Sequence, residues 1–170
     1  MVKSSEEMKS LVEEFIKITN VKYEDQTDKV REKSKLIEWQ FNLGTNVIVS
    51  KNANRQDRIH LNVNMRFPPN DAKLLVIKNP SFSKAVMDIS EICTITGVGH
   101  QWIKEKDDIV GLAIFSHVDE QVLDRVSFHN TWDNVSRASG HVQKILRSNF
   151  SGFASAGNSG AETTDKSMYG

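Results

Sequence analysis

Cysteine occurs once in the 170-residue chain, at Cys93. A single thiol rules out an intrachain disulfide and a thiolate zinc cluster built from this chain alone. Ile92, Thr94 and Ile95 around it continue an apolar helical pattern, so Cys93 reads as a packed, inert thiol rather than a nucleophile. Proline is also scarce: the three present, Pro68, Pro69 and Pro80, fall close together. No apolar run approaches the ~20 residues of a membrane helix. The start, "MVKSSEEMKS", is polar and acidic and lacks the apolar centre of a signal peptide. A cytoplasmic location without membrane contact is the expectation. Net charge is missing as well, because 22 Lys and Arg balance 22 Asp and Glu. Without a net field to draw it onto a polyanion, the chain is not expected to bind nucleic acid.

Catalytic signatures are equally sparse. The sequence has no G-x-S-x-G, no H-E-x-x-H and no G-x-x-x-x-G-K phosphate loop. "GVGHQW" has two glycines but not the spacing or the following helix of a dinucleotide loop. "SHVDE" puts His117, Asp119 and Glu120 at a strand end with no recognisable nucleophile beside them. These absences point away from an enzyme and imply no cofactor.

What is present is periodicity. In "RIHLNVNMRF", Ile59, Leu61, Val63, Met65 and Phe67 alternate strictly with Arg58, His60, Asn62, Asn64 and Arg66. That is a strand with one dry face, and its polar face is a candidate partner-binding surface. "LIEWQFNLG" alternates Ile37, Trp39, Phe41 and Leu43 against polar residues, and Gly44 to Asn46 provide a turn into "NVIVSKN". Three strands in a meander follow. Ser4 and Glu7 stand at capping-box spacing before an amphipathic helix that runs to about Asn20, and the charged stretch after it reads as a loop with a short edge strand. Past the proline pair, "AKLLVIKN" suggests a short helical segment. Phe82, Val86, Ile89 and Cys93 mark a further helix that Gly97 ends. "GHQWIKEKDDIVGLAIFSHV" reads as a hairpin, and "DEQVLDRV" as either an edge strand or a short helix. A long helix then carries Phe128, Trp132, Val135, Val142, Ile145 and Leu146 to about Phe150, with Ser127 as its expected N-cap.

The expected architecture is α+β, a single twisted antiparallel sheet of about five strands with helices on one face, in the order α-βββ-α-ββ-α. Residues 1–150 form the domain. Residues 151–170, small, polar and rich in glycine, are expected to be a disordered tail.

Two further groups stand out. Trp39, Trp102 and Trp132 lie on three elements, and Trp102, on an otherwise polar strand, is the candidate for a partner or dimer seam. His129, Asp133, Arg137 and His141 recur every four residues on the last helix, an arrangement that suits a solvated polar ladder better than a metal site, which would need a third ligand.

This element order, and "LDRVSFHNTWDNVSRASGHVQKILRSNF" after a hydrophobic hairpin, resembles the type III secretion chaperone-like fold over about Glu6 to Phe150. It is similar in particular to uncharacterised archaeal proteins of that architecture. The resemblance implies a homodimer that binds an extended segment of a partner protein, with no catalytic residue and no cofactor. A second expectation, from the residues alone, is an apolar cavity between the sheet and the C-terminal helix that holds a small ligand.

Overall fold

Ser4 and Glu7 open the first helix with the expected capping box: the Ser4 hydroxyl accepts from the Glu7 amide, and the Glu7 carboxylate accepts from the Ser4 amide. Met8, Val12, Phe15 and Ile16 form the buried stripe of this helix, α1 (Ser5–Ile18). The computed structural model describes residues 4–55, 57–67, 80–106 and 108–150. The proposed tail at 151–170 and the helical segment expected within 68–79 lie outside the described residues.

After α1 come β1 (Tyr23–Asp25), α2 (Thr27–Lys33), β2 (Ile37–Leu43), β3 (Ile48–Asn52) and β4 (Arg58–Arg66). Then follow α3 (Pro80–Thr96), β5 (Gly99–Glu105), β6 (Asp108–Asp119), a 3-10 turn (Glu120–Val122) and α4 (Arg125–Asn149). The strands form one antiparallel sheet in the order β1-β2-β3-β4-β6-β5. The expected meander is β2-β3-β4. The hairpin that follows α3 folds back so that β6, the more apolar strand, lies inside the sheet beside β4 and leaves β5 at the edge.

The sixth strand and an extra helix come from the charged stretch after α1. Three residues of β1 pair with β2, and α2 covers the rest of that edge. Backbone groups of β2 that would otherwise be open are met there: Gln26 N–H donates to the Gln40 carbonyl, Gln40 N–H donates to the Thr27 hydroxyl, and the Arg31 guanidinium donates to the Glu38 carbonyl. This protects an edge from pairing with another chain. No apolar periodicity announces α2, because its work is done by hydrogen bonds.

The dry face carries Trp39, Phe41, Val49, Ile59, Leu61, Val63, Leu112 and Ile114, and α1, α3 and α4 contribute Ile16, Ile89, Phe128, Val135 and Leu146 to the same cluster. Phe128 links two helices through ring contacts with Phe15 at 5.8 Å and Trp132 at 6.1 Å. Burying such side chains stabilises by about 1.5–3 kcal/mol each. Cys93 is 2% exposed in this core, and burial pushes its thiol pKa up, which keeps it protonated and inert. Gly97 ends α3 at φ 68°, where the Val98 amide donates back to the Cys93 carbonyl.

Three local expectations need correction. Ile37 does not share a face with Trp39: a register shift pairs Ile37 with Asn52 and Trp39 with Lys51, so the bulge turns Ile37 to the opposite side. The N-cap of α4 is Asp124, not Ser127. The Asp124 carboxylate accepts from the Ser127 amide, and the Ser127 hydroxyl, as the N3 partner, accepts from the Asp124 amide, a capping box that starts three residues earlier than expected. The stretch "DEQVLDRV" resolves into the 3-10 turn and the first residues of α4.

Candidate functional site

The helices that pack against the sheet do so on the dry side, and no described helix covers the other face. The pairing register sets out its side chains in cross-strand rows: Gln40, Ser50, His60 and His117; then Asn42, Ile48, Asn62, Phe115 and Gly99; then Asn64, Ala113 and Gln101. The centre of this face carries amides, a hydroxyl, imidazoles and apolar side chains. Its charges lie at the strand ends and at the β1 edge, where Glu24 pairs across from Asn42 and meets Lys29. At one end the Arg58 guanidinium lies 3.1 Å from Asp119 and 3.4 Å from Asp57, and at the other Arg66 pairs with Glu105. The face therefore differs from an ordinary solvated sheet surface, where charged side chains are spread through the rows.

A depression of about 240 Å3 occupies its middle. Ile37, Ala113 and Phe115 supply apolar lining, while Ser50, Asn52, Arg55, His60, Asn62 and Asn64 supply polar groups. The bulge matters here, because without it Ile37 would point into the core. Phe115 is 38% exposed, and its ring leans over Gly99, whose missing side chain leaves room for it. The Asn64 Oδ1 is buried with no hydrogen-bond partner among the described residues. Arg58 Nε is also buried and lies within ion-pair distance of Asp119, yet its N–H is not aimed for a hydrogen bond. The contact is electrostatic only.

His60 and His117 are cross-strand neighbours with ring centroids 6.4 Å apart. Burial holds the His60 pKa below the usual histidine value, reinforced by the charges of His117, Arg55 and Arg58 and opposed by Asp57. The unfolded chain therefore takes up a proton more readily than the folded one. Stability from this residue is full above the unfolded pKa of about 6.5 and is lost as the pH falls through the lower folded value. Replacing His60 with Gln should flatten the acid side of a melting-temperature profile between about pH 5 and 7. An unchanged slope would remove His60 from that transition.

Of the residues nominated from sequence, Arg58, His60, Asn62, Asn64 and Arg66 all lie on this face. Trp102 does not. It pairs with Leu112 on the covered side and packs against Phe82 at 5.5 Å and Phe67 at 6.1 Å. The remaining contributors, Ile37, Arg55, Ala113 and Phe115, come from a bulge, a turn and a strand whose near-continuous apolar run hides which residues point outward. In the layer between sheet and C-terminal helix lie Phe128, Val135, Val142 and Leu146, each 0% exposed.

The polar stripe on α4 is solvated. Asp133, Arg137 and His141 are exposed, Arg137 donates to the Asp133 carbonyl and the Asn134 side chain, and His129 stacks on Trp132 at 6.0 Å. His129 and His141, three helical periods apart, are separated by about 18 Å along the axis, so they cannot share an ion. Among the described residues no group of three or more His, Cys, Asp or Glu is placed to hold a metal. Replacing both histidines with Ala should cost about 1 kcal/mol, mostly from the His129 stack. Zinc, manganese and nickel should shift wild type and variant equally in thermal melts.

No family model matches this chain, and no curated protein does. A solved structure does. An uncharacterised protein from Methanothermobacter thermautotrophicus superimposes with a TM-score of 0.65 at 9% identity, covering 84% of this chain and 98% of that one. At that identity the likeness concerns the fold alone. No described helix is long and apolar enough to cross a membrane.

Proposed function

We propose that this chain is a non-enzymatic interaction protein that binds an extended segment of a partner protein on the open face of its sheet. One observation carries the reading: a sheet face left uncovered by the described helices, uncharged at its centre, with a half-lined apolar depression there. Side-chain amides on Asn42, Asn62, Asn64 and Gln101 offer both donors and acceptors, which suits a polypeptide main chain rather than one particular side chain. The resemblance of the element order to type III secretion chaperones, which hold extended segments of partner proteins, supports the same reading.

A homodimer belongs to this reading. Met87 and Ile95 on α3 are each 72% exposed, two helical turns apart on one side, and give a second copy apolar surface away from the open face. Light scattering after size exclusion should find twice the chain mass at micromolar concentration. A monomer would remove the dimer and leave the binding face.

The face itself is tested by incubating the full chain with an array of unrelated fifteen-residue peptides, alongside a Phe115→Lys variant. Phe115 is an exposed side chain, so the variant should melt within about 1 kcal/mol of wild type. Capture of a subset of peptides by wild type and loss of that subset in the variant is the expected result. Identical patterns would place binding elsewhere.

A further inference from the structure

The strap formed by β1 and α2 lies over the edge of β2 with little of it in the core. Of residues 21–36 only Thr27 and Ser34 are buried, while Val21 and Tyr23 pack partly against the core cluster. Polar contacts to α1 hold it instead. The Tyr23 hydroxyl donates to Glu13 at 2.6 Å, and Lys17 meets the same carboxylate at 2.9 Å. Asp25 meets Lys9 at 2.8 Å, and Arg31 reaches Glu6 at 3.4 Å. The Tyr23 ring stands edge-on to Phe41 at 5.7 Å, and the Lys9 ammonium lies 5.8 Å from the centre of the same ring. β2 itself is fixed from its other sides, since Trp39, Phe41 and Leu43 belong to the core and β3 pairs along its inner edge. A segment with few buried apolar contacts, held mostly by surface ion pairs and hydrogen bonds, opens more easily than the ladder it covers.

We propose that this strap is detachable, and that it occupies a second binding groove, between the β2 edge and α1, for an extended segment of a partner polypeptide. Its own residues carry the chemistry that the groove takes. β1 runs antiparallel to β2 with Tyr23 opposite Leu43 and Asp25 opposite Phe41, and these two side chains, two residues apart, turn to the same side and meet α1. The partner segment therefore carries a tyrosine two positions before an acidic residue. Its phenol donates to Glu13, its carboxylate pairs with Lys9, and its main chain pairs with β2 between Phe41 and Leu43. Main-chain bonds supply affinity and the two α1 contacts supply selection. Closed, the strap keeps the edge from indiscriminate pairing; displaced, it yields the edge to a segment that reproduces its contacts. The groove is separate from the open face and does not depend on the reading of that face.

Hydrogen exchange of the 15N-labelled full chain tests the opening. The amides of Gln26, Gln40 and Gly44, which bond between strap and β2 edge, should exchange about a hundredfold faster than those of Ile59 and Leu61 inside the sheet, and faster still in high salt. Equal protection would overturn the inference. Binding is tested by NMR titration with a blocked peptide of the strap sequence, VKYEDQTDKVREK, and with VKAEAQTDKVREK, which lacks both anchors. The receiving proteins are the full chain carrying Tyr23→Ala and Asp25→Ala, changes confined to the strap, and the wild type. The variant should show saturable shifts of the Phe41 and Leu43 amides with the first peptide and none with the second. Wild type should bind the first about tenfold more weakly, because its own strap competes as a tethered ligand. Absence of shifts at millimolar peptide, equal affinity for the two peptides, or equal affinity of variant and wild type would overturn the inference. Shifts of the Asn62 and Asn64 side-chain amides instead would overturn it and leave the open-face reading standing. A double variant that fails to fold would make the strap part of the fold rather than detachable, and the inference would fall.

Discussion

Met65→Asp should remove a large share of the stability of the domain, whereas Asn64→Asp, one position earlier on the same strand, should cost about 1 kcal/mol. Met65 is 6% exposed on the dry face of β4, in the cluster with Leu61, Val63 and Phe67. A carboxylate there is buried among apolar side chains and leaves a void where the thioether packed. Together these amount to a loss of about 4–5 kcal/mol, a large share of the 5–15 kcal/mol typical of a domain. Asn64 points the other way. It is half-buried and its Oδ1 already lacks a donor, so a charge at that position is less comfortable than on a free surface but remains near water. Urea unfolding followed by tryptophan fluorescence should show a midpoint shift several times larger for the first variant. Equal shifts would mean that β4 is dry on both faces, and the open face would not exist.

The contrast shows why part of the fold was legible in the sequence. Alternation along β4 and β2 identifies strands and faces, since burial on one side imposes a period of two. The same alternation gave the five polar residues of β4, all of which lie on the candidate surface. Register is another matter. Nothing in "LIEWQFNLG" reveals that the bulge after Ile37 sends that residue to the face opposite Trp39, because a bulge changes pairing without changing composition. β6 hides its outward residues for a related reason: as an interior strand it is apolar on both sides, so Phe115 and Ala113 look like core. Arg55, in a turn, carries no pattern at all. Trp102 lies on the covered side: the polar residues around it suggest an exposed strand, yet β5 lies at a sheet edge where the covered face still takes an aromatic residue against Phe67 and Phe82.

Two glycines separate the stability of the sheet from the shape of its open face. At Gly111, a Cβ would stand 2.5 Å from the Met65 carbonyl oxygen and 3.3 Å from Ile103 Cδ1. The first obstacle is backbone of the adjacent strand, so relief requires β4 and β6 to move apart where Arg66 pairs with Gly111. Gly111→Ala should therefore cost about 3 kcal/mol, at the upper end of overpacking, and lower the melting temperature by several degrees. At Gly99 the added Cβ would also come to 2.5 Å, but of the Phe115 ring, which can rotate toward solvent. Gly99→Ala should cost about 1 kcal/mol and yet disturb the depression, since Phe115 can no longer lie over β5. Thermal melts and binding to the array of fifteen-residue peptides, run side by side, should show a destabilised variant at Gly111 and a stable, weakly binding one at Gly99. A Gly111→Ala protein as stable as wild type would mean that the β4–β6 ladder is looser than its register indicates. Full binding by Gly99→Ala would take Phe115 out of the recognition surface.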